Sequence, residues 1–466
     1  MAKMVDLTKG SILKKVLLVA FPVLLSSIAQ MAYNLTDLFW IGRVDEIGLN
    51  ESAAISGIGT AGYVTWFAFG LILIAKIGTS VKVAHAAGAK KQESVDRYAS
   101  NGLAVAVVLG IAFSVLVFLL RQPIIAIFEI SDPTVVANAI SYLSIVGGLL
   151  VFQFSSSGFA AINEGLGKTI TNFFVMGVGL ALNMILDPLF ILTFRMGIAG
   201  AAWATIIAQA STFLVFLLMY RFNQKKGYRL ELGLLDRKTV GEVVRIGVPA
   251  GLQSMFFTSI SIMIARLIFA WFGKDVMAAQ RLGSQIEQFT WMIGGGFQTA
   301  LTVFVGQNFG AGEFGRIRRG TIGIAAILLP YSAIITLLFA FRAGFFIRLF
   351  IDDPVTVAFG TEYLAIISFA QMFMMLEGIG AGLFNGVGKT KIPSVVGIAG
   401  NVMRIPLAYL LVASFAQTGI WWALNLSDAL KGGFLLIAGI VLLFRLEKTF
   451  ASRKKKSSDT PMPQAA

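Results

Sequence analysis

Long apolar stretches recur along nearly all of the 466 residues of this chain, and they limit what it can fold into. A helix needs about 20 apolar residues to cross roughly 30 Å of hydrocarbon, and it satisfies its own backbone hydrogen bonds there. Charged residues make up 13% of the sequence, against about 25% in soluble domains. We therefore predict an all-α polytopic membrane protein. Its twelve predicted transmembrane helices are 14–42, 52–80, 98–120, 134–160, 170–194, 198–221, 244–272, 277–306, 321–342, 355–384, 394–415 and 419–444.

The basic residues are divided unevenly between the two sides of the predicted membrane. The connections and ends on one side carry 27 Lys and Arg residues, and those on the other carry 6. Because such an excess marks the cytoplasmic side, we expect both termini in the cytoplasm and a plasma-membrane location. The net charge of +14 follows from this distribution and does not indicate nucleic-acid binding.

Cysteine is absent and His85 is the only histidine. Thiolate and His-based metal sites are therefore excluded, as are Cys and His catalytic triads. We predict no enzyme activity and no cofactor.

The two halves of the sequence repeat one another at an offset of 218 to 227 residues. FEISDPTVVANAISYL (128–143) resembles FIDDPVTVAFGTEYL (350–364), and AFPVLLSS (20–27) resembles GVPAGLQS (247–254). Six spans per half give both halves the same orientation, which predicts two six-helix bundles related by a pseudo-twofold axis around a central cleft. That architecture suits alternating access. The predicted segments are a cytoplasmic N-terminus 1–13, an N-terminal bundle 14–221, a cytoplasmic linker 222–243, a C-terminal bundle 244–444 and a basic cytoplasmic tail 445–466 with a disordered end.

The repeat also contains GLGKT (165–169) and GVGKT (386–390), which resemble part of a phosphate-binding loop. That loop needs a glycine five positions before its GK glycine, and Ile162 and Leu383 occupy those positions. We instead expect each GKT to form a turn at the end of a helix.

In the first half of the sequence two acidic residues lie inside predicted spans, where each costs roughly 2.5 kcal/mol or more to insert. At ~1.5 Å per residue, Asp37 lies about 9 Å below Arg43 and Asp187 about 12 Å below Arg195, so we expect the two acids at similar depth. Asn183 precedes Asp187 by one helical turn and shares its face. Three further residues share the face of Asp37 and are candidates for a substrate cavity: Gln30, Tyr33 and Asn34.

Pro188 cannot donate a backbone hydrogen bond, so it frees the carbonyl group of Met184. Asp37, Asn183, Asp187 and this carbonyl then form an oxygen-rich niche that suits Na⁺ or a shared proton. The alternative is that each acid only pairs with a nearby donor or reaches the interface.

Polar residues of the second half form a different set. Gln280 and Glu287 share one face of span eight, and Glu377 lies in span ten. They are candidates for a substrate cavity. Glu287 has an alternative structural role as the ion-pair partner of Arg281.

Several longer stretches of the chain are distinctive together. They are FPVLLSSIAQMAYNLTDLFWIG, ALNMILDPLFIL, GIAGAAWATIIAQ and RLGSQIEQFTWMIGGGFQTALTVFVGQNFGAG, together with the paired GKT turns. These stretches resemble the multidrug and toxic compound extrusion (MATE) family, in particular its prokaryotic DinF-like and MepA-like branches. The resemblance covers residues 10–445. It implies two six-helix bundles with a central cleft and export of cationic or amphipathic compounds driven by Na⁺ or H⁺.

The resemblance also implies roles for single residues. The DinF-like pattern gives ion or proton coupling to Asp37, Asn183, Asp187 and Thr205. It places Tyr33, Tyr142 and Asn163 at the substrate cavity. The NorM-like pattern places acids on spans seven and ten, but span seven has none and Glu377 is about a turn from the expected position. The N-terminal half is therefore the predicted ion site.

Together these observations predict a monomeric antiporter that exchanges Na⁺ or H⁺ for amphipathic or cationic drugs and toxins. The alternative is a flippase for a lipid-linked cell-wall or polysaccharide precursor, although such proteins usually have fourteen spans and a cationic cavity. The expected partners are the coupling ion, the small-molecule substrate and the lipid bilayer, with no nucleic acid.

Overall fold

The computed structural model describes residues 5–222 and 227–458, and at residues 34, 35, 38, 447 and 449–458 it describes the backbone alone. In this part of the chain all regular secondary structure is helical, which confirms the predicted fold class. The α-helices are α1 (Ile12–Ile41), α2 (Glu51–Gly88), α3 (Gln92–Ala126), α4 (Pro133–Val146), α5 (Val151–Gly165), α6 (Thr169–Pro188), α7 (Gly197–Phe222), α8 (Arg237–Gly310), α9 (Phe314–Arg348), α10 (Pro354–Ile367), α11 (Ala370–Gly386), α12 (Lys391–Phe415) and α13 (Gln417–Ser458).

The number of membrane crossings follows from helix length. Among the described residues nine helices are long and apolar enough to span a bilayer, and the bent pairs α4–α5 and α10–α11 qualify as two more. Helix α8 has 74 residues, and its backbone leaves the helical conformation at Gly273 (φ 81°, ψ −167°). A straight helix of that length would extend about 110 Å, so α8 contains two spans. The total of twelve agrees with the sequence.

Two spans predicted as continuous helices, 134–160 and 355–384, are broken in the structure. The bend is 43° between α4 and α5 and 50° between α10 and α11. Hydroxyl groups of neighbouring helices bind the backbone groups that the bends free. The amide of Val151 donates to Ser114 Oγ on α3 (3.1 Å), and Thr336 Oγ1 on α9 donates to the carbonyl of Ser368 (3.0 Å).

The internal repeat is visible in the helix ends. Asp132 caps α4 by accepting from the amide of Thr134 (2.7 Å), and Asp353 caps α10 by accepting from the amide of Thr356 (2.8 Å). The hydrogen bonds from Thr356 hold the pKa of the Asp353 carboxyl below its usual range.

Each GKT segment forms a turn at the end of a helix. Gly167 (φ 72°) and Gly388 (φ 83°) adopt the left-handed conformation that only glycine adopts without cost. The amide of Lys168 then donates back to the carbonyl of Asn163 (2.7 Å), and that of Lys389 to the carbonyl of Phe384 (2.9 Å). Both turns are therefore helix caps, as predicted.

The described residues group into two compact units, each with its own apolar core. The first comprises Val5, Val19–Val83 and Lys91–Thr258, and the second comprises Asp6–Leu18, Ala84–Lys90 and the residues from Ser259 onward. The domain bounds taken from the sequence stay a prediction.

Part of the predicted linker 222–243 is bound to α3 within the first unit. The amide of Arg229 donates to Asp96 Oδ1 (2.9 Å), and the amide of Asp236 donates to Asn101 Oδ1 (3.0 Å). The next residue, Arg237, already begins α8. At the other end of the chain the helix continues to Ser458, so the predicted disorder of residues 452–466 is wrong for 452–458, and residues 459–466 lie outside the described part of the chain.

Candidate functional site

The two intramembrane acids of the first unit are in contact. Asp37 on α1 and Asp187 on α6 lie side by side, with their carboxyl groups close enough to share a proton. Asn183 Nδ2 donates to Asp187 Oδ1 (3.1 Å), and both of these α6 side chains are almost completely buried. Among the described residues neither acid forms an ion pair with a lysine or arginine. Two carboxyl groups in contact repel one another unless a proton or a cation lies between them.

Several oxygen atoms of this pair have unused hydrogen-bonding capacity. Asp37 Oδ1, Asn183 Oδ1 and Asp187 Oδ2 are buried, and none has a hydrogen-bond partner within the described chain. Buried acceptors without partners are rare in proteins and point to a missing donor, water or ion. Oxygen ligands of this type suit a hard cation such as Na⁺, as well as a proton.

A transition-metal site does not fit the same residues. In the described ranges no three His, Cys, Asp or Glu side chains come close enough together to hold a metal ion. The acid pair and Asn183 offer two carboxylates and one amide. The niche predicted from the sequence contains these groups together with the backbone carbonyl of Met184, and that carbonyl stays a prediction.

Hydroxyl groups from three helices meet beside the acids. Tyr33 Oη on α1 lies 3.5 Å from Thr205 Oγ1 on α7, and Tyr142 on α4 also lies close to Thr205. Both tyrosines lie close enough to Asp37 and Asp187 to interact with their charges. Six residues predicted at separate points of the sequence are therefore brought together by α1, α4, α6 and α7.

The turn after α6 determines how closely α7 packs beside it. Pro188 ends α6, and the chain continues as a π-helical turn, Leu189–Thr193. Gly200 on α7 then lies against the backbone of Phe190, where an added Cβ would be only 2.6 Å from the carbonyl oxygen. Thr205, further along α7, and Asn183 on α6 line one cavity.

A cavity of ≈ 240 Å³ opens next to this cluster within the first unit. It is many times larger than the ~10–15 Å³ that one water needs. Predicted residues that line it are Gln30, Tyr33, Asn183 and Thr205.

Polar residues that sequence reasoning missed complete the cavity wall. They are Gln153 and Ser156 on α5 and Gln209 and Thr212 on α7, and the buried Oε1 of Gln209 has no partner in the described chain. Thr205, Gln209 and Thr212 are spaced by four and three residues, so they form one stripe on α7. That spacing is the signal by which they could have been found.

Other predicted residues lie outside this cluster. Asn163 is at the end of α5, where its amide donates to Asn172 Oδ1 (3.0 Å). Gln280, Glu287 and Glu377 belong to the second unit. The side chain of Asn34 lies outside the described part of the chain.

The predicted partner of Glu287 differs from the one in the structure. Its carboxylate accepts hydrogen bonds from Tyr363 and Gln371, whereas Arg281 is exposed. Glu377 forms an ion pair with Lys431 (3.1 Å).

Comparison with known proteins assigns the family. A family model described as MatE matches residues 22–189 and 249–410, one segment in each half of the repeat. The chain belongs to the MATE transporter family. As a member of it, the protein is a multi-pass plasma-membrane transporter and not an enzyme.

Curated MATE relatives match over most of their length. The chain is 27% identical over 428 residues to the probable multidrug resistance protein NorM of Thermotoga maritima, covering 87% of each chain. It is 24% identical over 440 residues to the multidrug export protein MepA of Staphylococcus aureus, covering 91% of this chain and 92% of MepA.

A solved MATE structure has the same fold. It is described as the outward-facing conformation of a multidrug resistance transporter of the MOP superfamily, with a TM-score of 0.88 at 20% identity. The match covers 96% of this chain and 99% of the other.

Proposed function

We propose that this MATE transporter exports amphipathic or cationic drugs and toxins in exchange for Na⁺ or H⁺. The coupling cation binds at Asp37, Asn183 and Asp187, with Thr205 beside them. The observation that carries the proposal is that two neighbouring acids, Asp37 and Asp187, have buried carboxyl oxygens without a partner, and that no described basic residue forms an ion pair with either. The relatives NorM and MepA, described as multidrug resistance and export proteins, support the substrate class.

The proposed coupling follows from competition for the same oxygen atoms. A bound proton or Na⁺ satisfies the acid pair, whereas an empty pair attracts a cationic substrate into the adjoining cavity. Each ligand therefore favours a different state of the protein, as exchange requires. The cavity lining adds the amide of Gln30 and the hydroxyl of Tyr33, which can bind polar substrate groups.

The alternative flippase function has weaker support. A lipid-linked pyrophosphate is an anion, and two contacting carboxyl groups repel it. Lys76 is the basic residue that lines the cavity, and it is paired with Glu164 (3.0 Å).

Transport into vesicles under separately imposed gradients tests the proposal. Purified protein in liposomes should move a fluorescent organic cation when either a Na⁺ or a pH gradient is applied, and the active gradient identifies the coupling ion. Asp37→Asn and Asp187→Asn should each abolish gradient-driven transport.

The exposed acid Asp45, just beyond α1, provides the matched control, since Asp45→Asn removes a charge outside the cluster. Unchanged transport in both Asp37→Asn and Asp187→Asn would refute the assignment of the coupling site.

A further inference from the structure

A second cluster of ionisable side chains lies in the second unit, which contains none of the residues to which coupling is assigned above. Lys431 on α13 forms ion pairs with Glu377 on α11 (3.1 Å) and Asp428 on α13 (2.8 Å). Asp428 also accepts from Arg404 on α12 (2.7 Å). Arg404, Asp428 and Lys431 are buried, and Glu377 is the most accessible of the four.

Glu287 on α8 adds a third carboxyl group to this cluster. It is 5% exposed and lies close enough to Asp428 and Arg404 for their charges to act on it. Its direct contacts are neutral. The hydroxyl of Tyr363 donates to its Oε2 (2.7 Å), and Nε2 of Gln371 donates to its Oε1 (2.9 Å).

The charges of these five side chains do not balance. Three carboxyl groups face two basic groups, so one negative charge remains when all are ionised. An isolated buried charge is expensive, and such a group usually binds a proton instead. Asp428 and Glu377 each contact a cation, whereas Glu287 contacts uncharged groups. Protonation of Glu287 therefore breaks no ion pair, and protonation of either other acid does.

The side-chain amide of Gln371 can form a hydrogen bond with Glu287 whether Glu287 is charged or protonated. Its Oε1 is buried and has no partner among the described residues. A half-turn of the amide exchanges its oxygen and nitrogen, so that Oε1 accepts a hydrogen bond from a protonated Glu287. The same amide donates to a charged Glu287 in the orientation seen here.

We propose that Glu287 is a second proton-binding site, separate from Asp37 and Asp187, whose occupancy follows the charge of the Arg404–Asp428–Lys431–Glu377 cluster. An organic cation that reaches Glu377 and displaces Lys431 adds one positive charge to the cluster. Glu287 then releases its proton, so that one cation enters and one proton leaves. This inference does not depend on the assignment of the acid pair in the first unit.

Infrared spectroscopy of the protein in lipid vesicles tests the proposal, because a protonated carboxyl group has its own C=O stretching band. The measurement uses the Asp37→Asn/Asp187→Asn double variant, which removes any signal from the acid pair. We expect a protonated carboxyl band near neutral pH in this background, and Glu287→Gln should abolish it. An unchanged band in Glu287→Gln would overturn the proposal.

Two further variants test the charge count itself. In the same background, Glu377→Gln leaves two basic groups facing Asp428 and Glu287, so the band should vanish at a lower pH than before. Lys431→Met removes a cation, so the band should grow to about twice its size. If both variants leave the band unchanged, the proton is independent of the cluster and that part of the proposal is wrong.

Carbon-13-labelled glutamate gives a readout that needs no variant at residue 287. The band of the double variant should shift on labelling, because it belongs to a glutamate. A band that shifts only when aspartate is labelled would assign the proton to Asp428 and contradict the proposal. Because a protonated Glu and a Gln have the same shape and charge, Glu287→Gln should also leave the thermal unfolding temperature nearly unchanged.

Discussion

At the scale of single residues, a substitution of Asn183 can tell a Na⁺ site from a proton site, because it leaves the charges of the two acids in place. Its Nδ2 holds Asp187, and its Oδ1 is a free oxygen ligand. If Na⁺ is the coupling ion, Asn183→Ala should weaken the apparent Na⁺ affinity by about 10- to 100-fold, the usual effect of losing a residue that supports a metal site.

The measurement is the Na⁺ concentration that gives half-maximal transport, with Asp45→Asn as the control. With a proton as coupling ion, the variant should instead change the pH profile and leave any response to Na⁺ as it was. An unaltered dependence on both ions would contradict a role for Asn183.

The sequence predicts some of this site and misses the rest for a physical reason. Asp37 and Asp187 were recognisable because a carboxyl group inside a membrane span is costly and therefore indicates a function. Asn183 was recognisable because it lies one helical turn from Asp187. Thr205 and Tyr142 followed only from the family resemblance. A neutral hydroxyl or amide such as that of Gln209 costs less to place in a membrane than a carboxylate, and the sequence does not show which way it faces until the packing of the helices is known.

At the scale of helices, the bent pairs depend on single hydroxyl groups. Ser114 is buried on α3 and accepts from the amide of Val151, at the start of α5. Ser114→Ala should destabilise the protein by about 1–3 kcal/mol, the cost of leaving a backbone amide without a partner.

Thermal unfolding in detergent measures this effect. Ser144 is the control, because its hydroxyl donates to the carbonyl of Ile140 within its own helix and its loss leaves no amide unpaired. Equal unfolding temperatures for Ser114→Ala and Ser144→Ala would show that the bend does not need the hydroxyl.

The helix ends were predictable and the bends were not. Asp132 and Asp353 each precede a proline, a pattern typical of a helix start, and the GKT glycines mark helix ends. The break before α11 has no glycine or proline in FAQ (369–371). The group that binds the freed carbonyl of Ser368 is the hydroxyl of Thr336 on another helix, which the local sequence does not contain.

At the scale of the whole chain, the uneven basic charge predicts which connections face the cytoplasm. The absence of cysteine makes this testable, because any introduced thiol is unique. Leu232 in the linker and Glu46 after α1 are both exposed. In intact cells a membrane-impermeant thiol reagent should label Glu46→Cys and spare Leu232→Cys.

Permeabilised cells provide the control, since both cysteines should then react. Labelling of Leu232→Cys in intact cells would reverse the predicted orientation and place the termini outside.

The paired helix caps at Gly167 and Gly388 have a consequence for the origin of the protein. Both halves retain the same cap after the same number of crossings, as expected if one ancestral gene was duplicated and its copies were fused head to tail. An even number of crossings returns the chain to its starting side, so both copies were able to keep the same orientation in the membrane after fusion. Each half was then able to diverge, and today one carries a bare acid pair and the other a five-membered charge cluster.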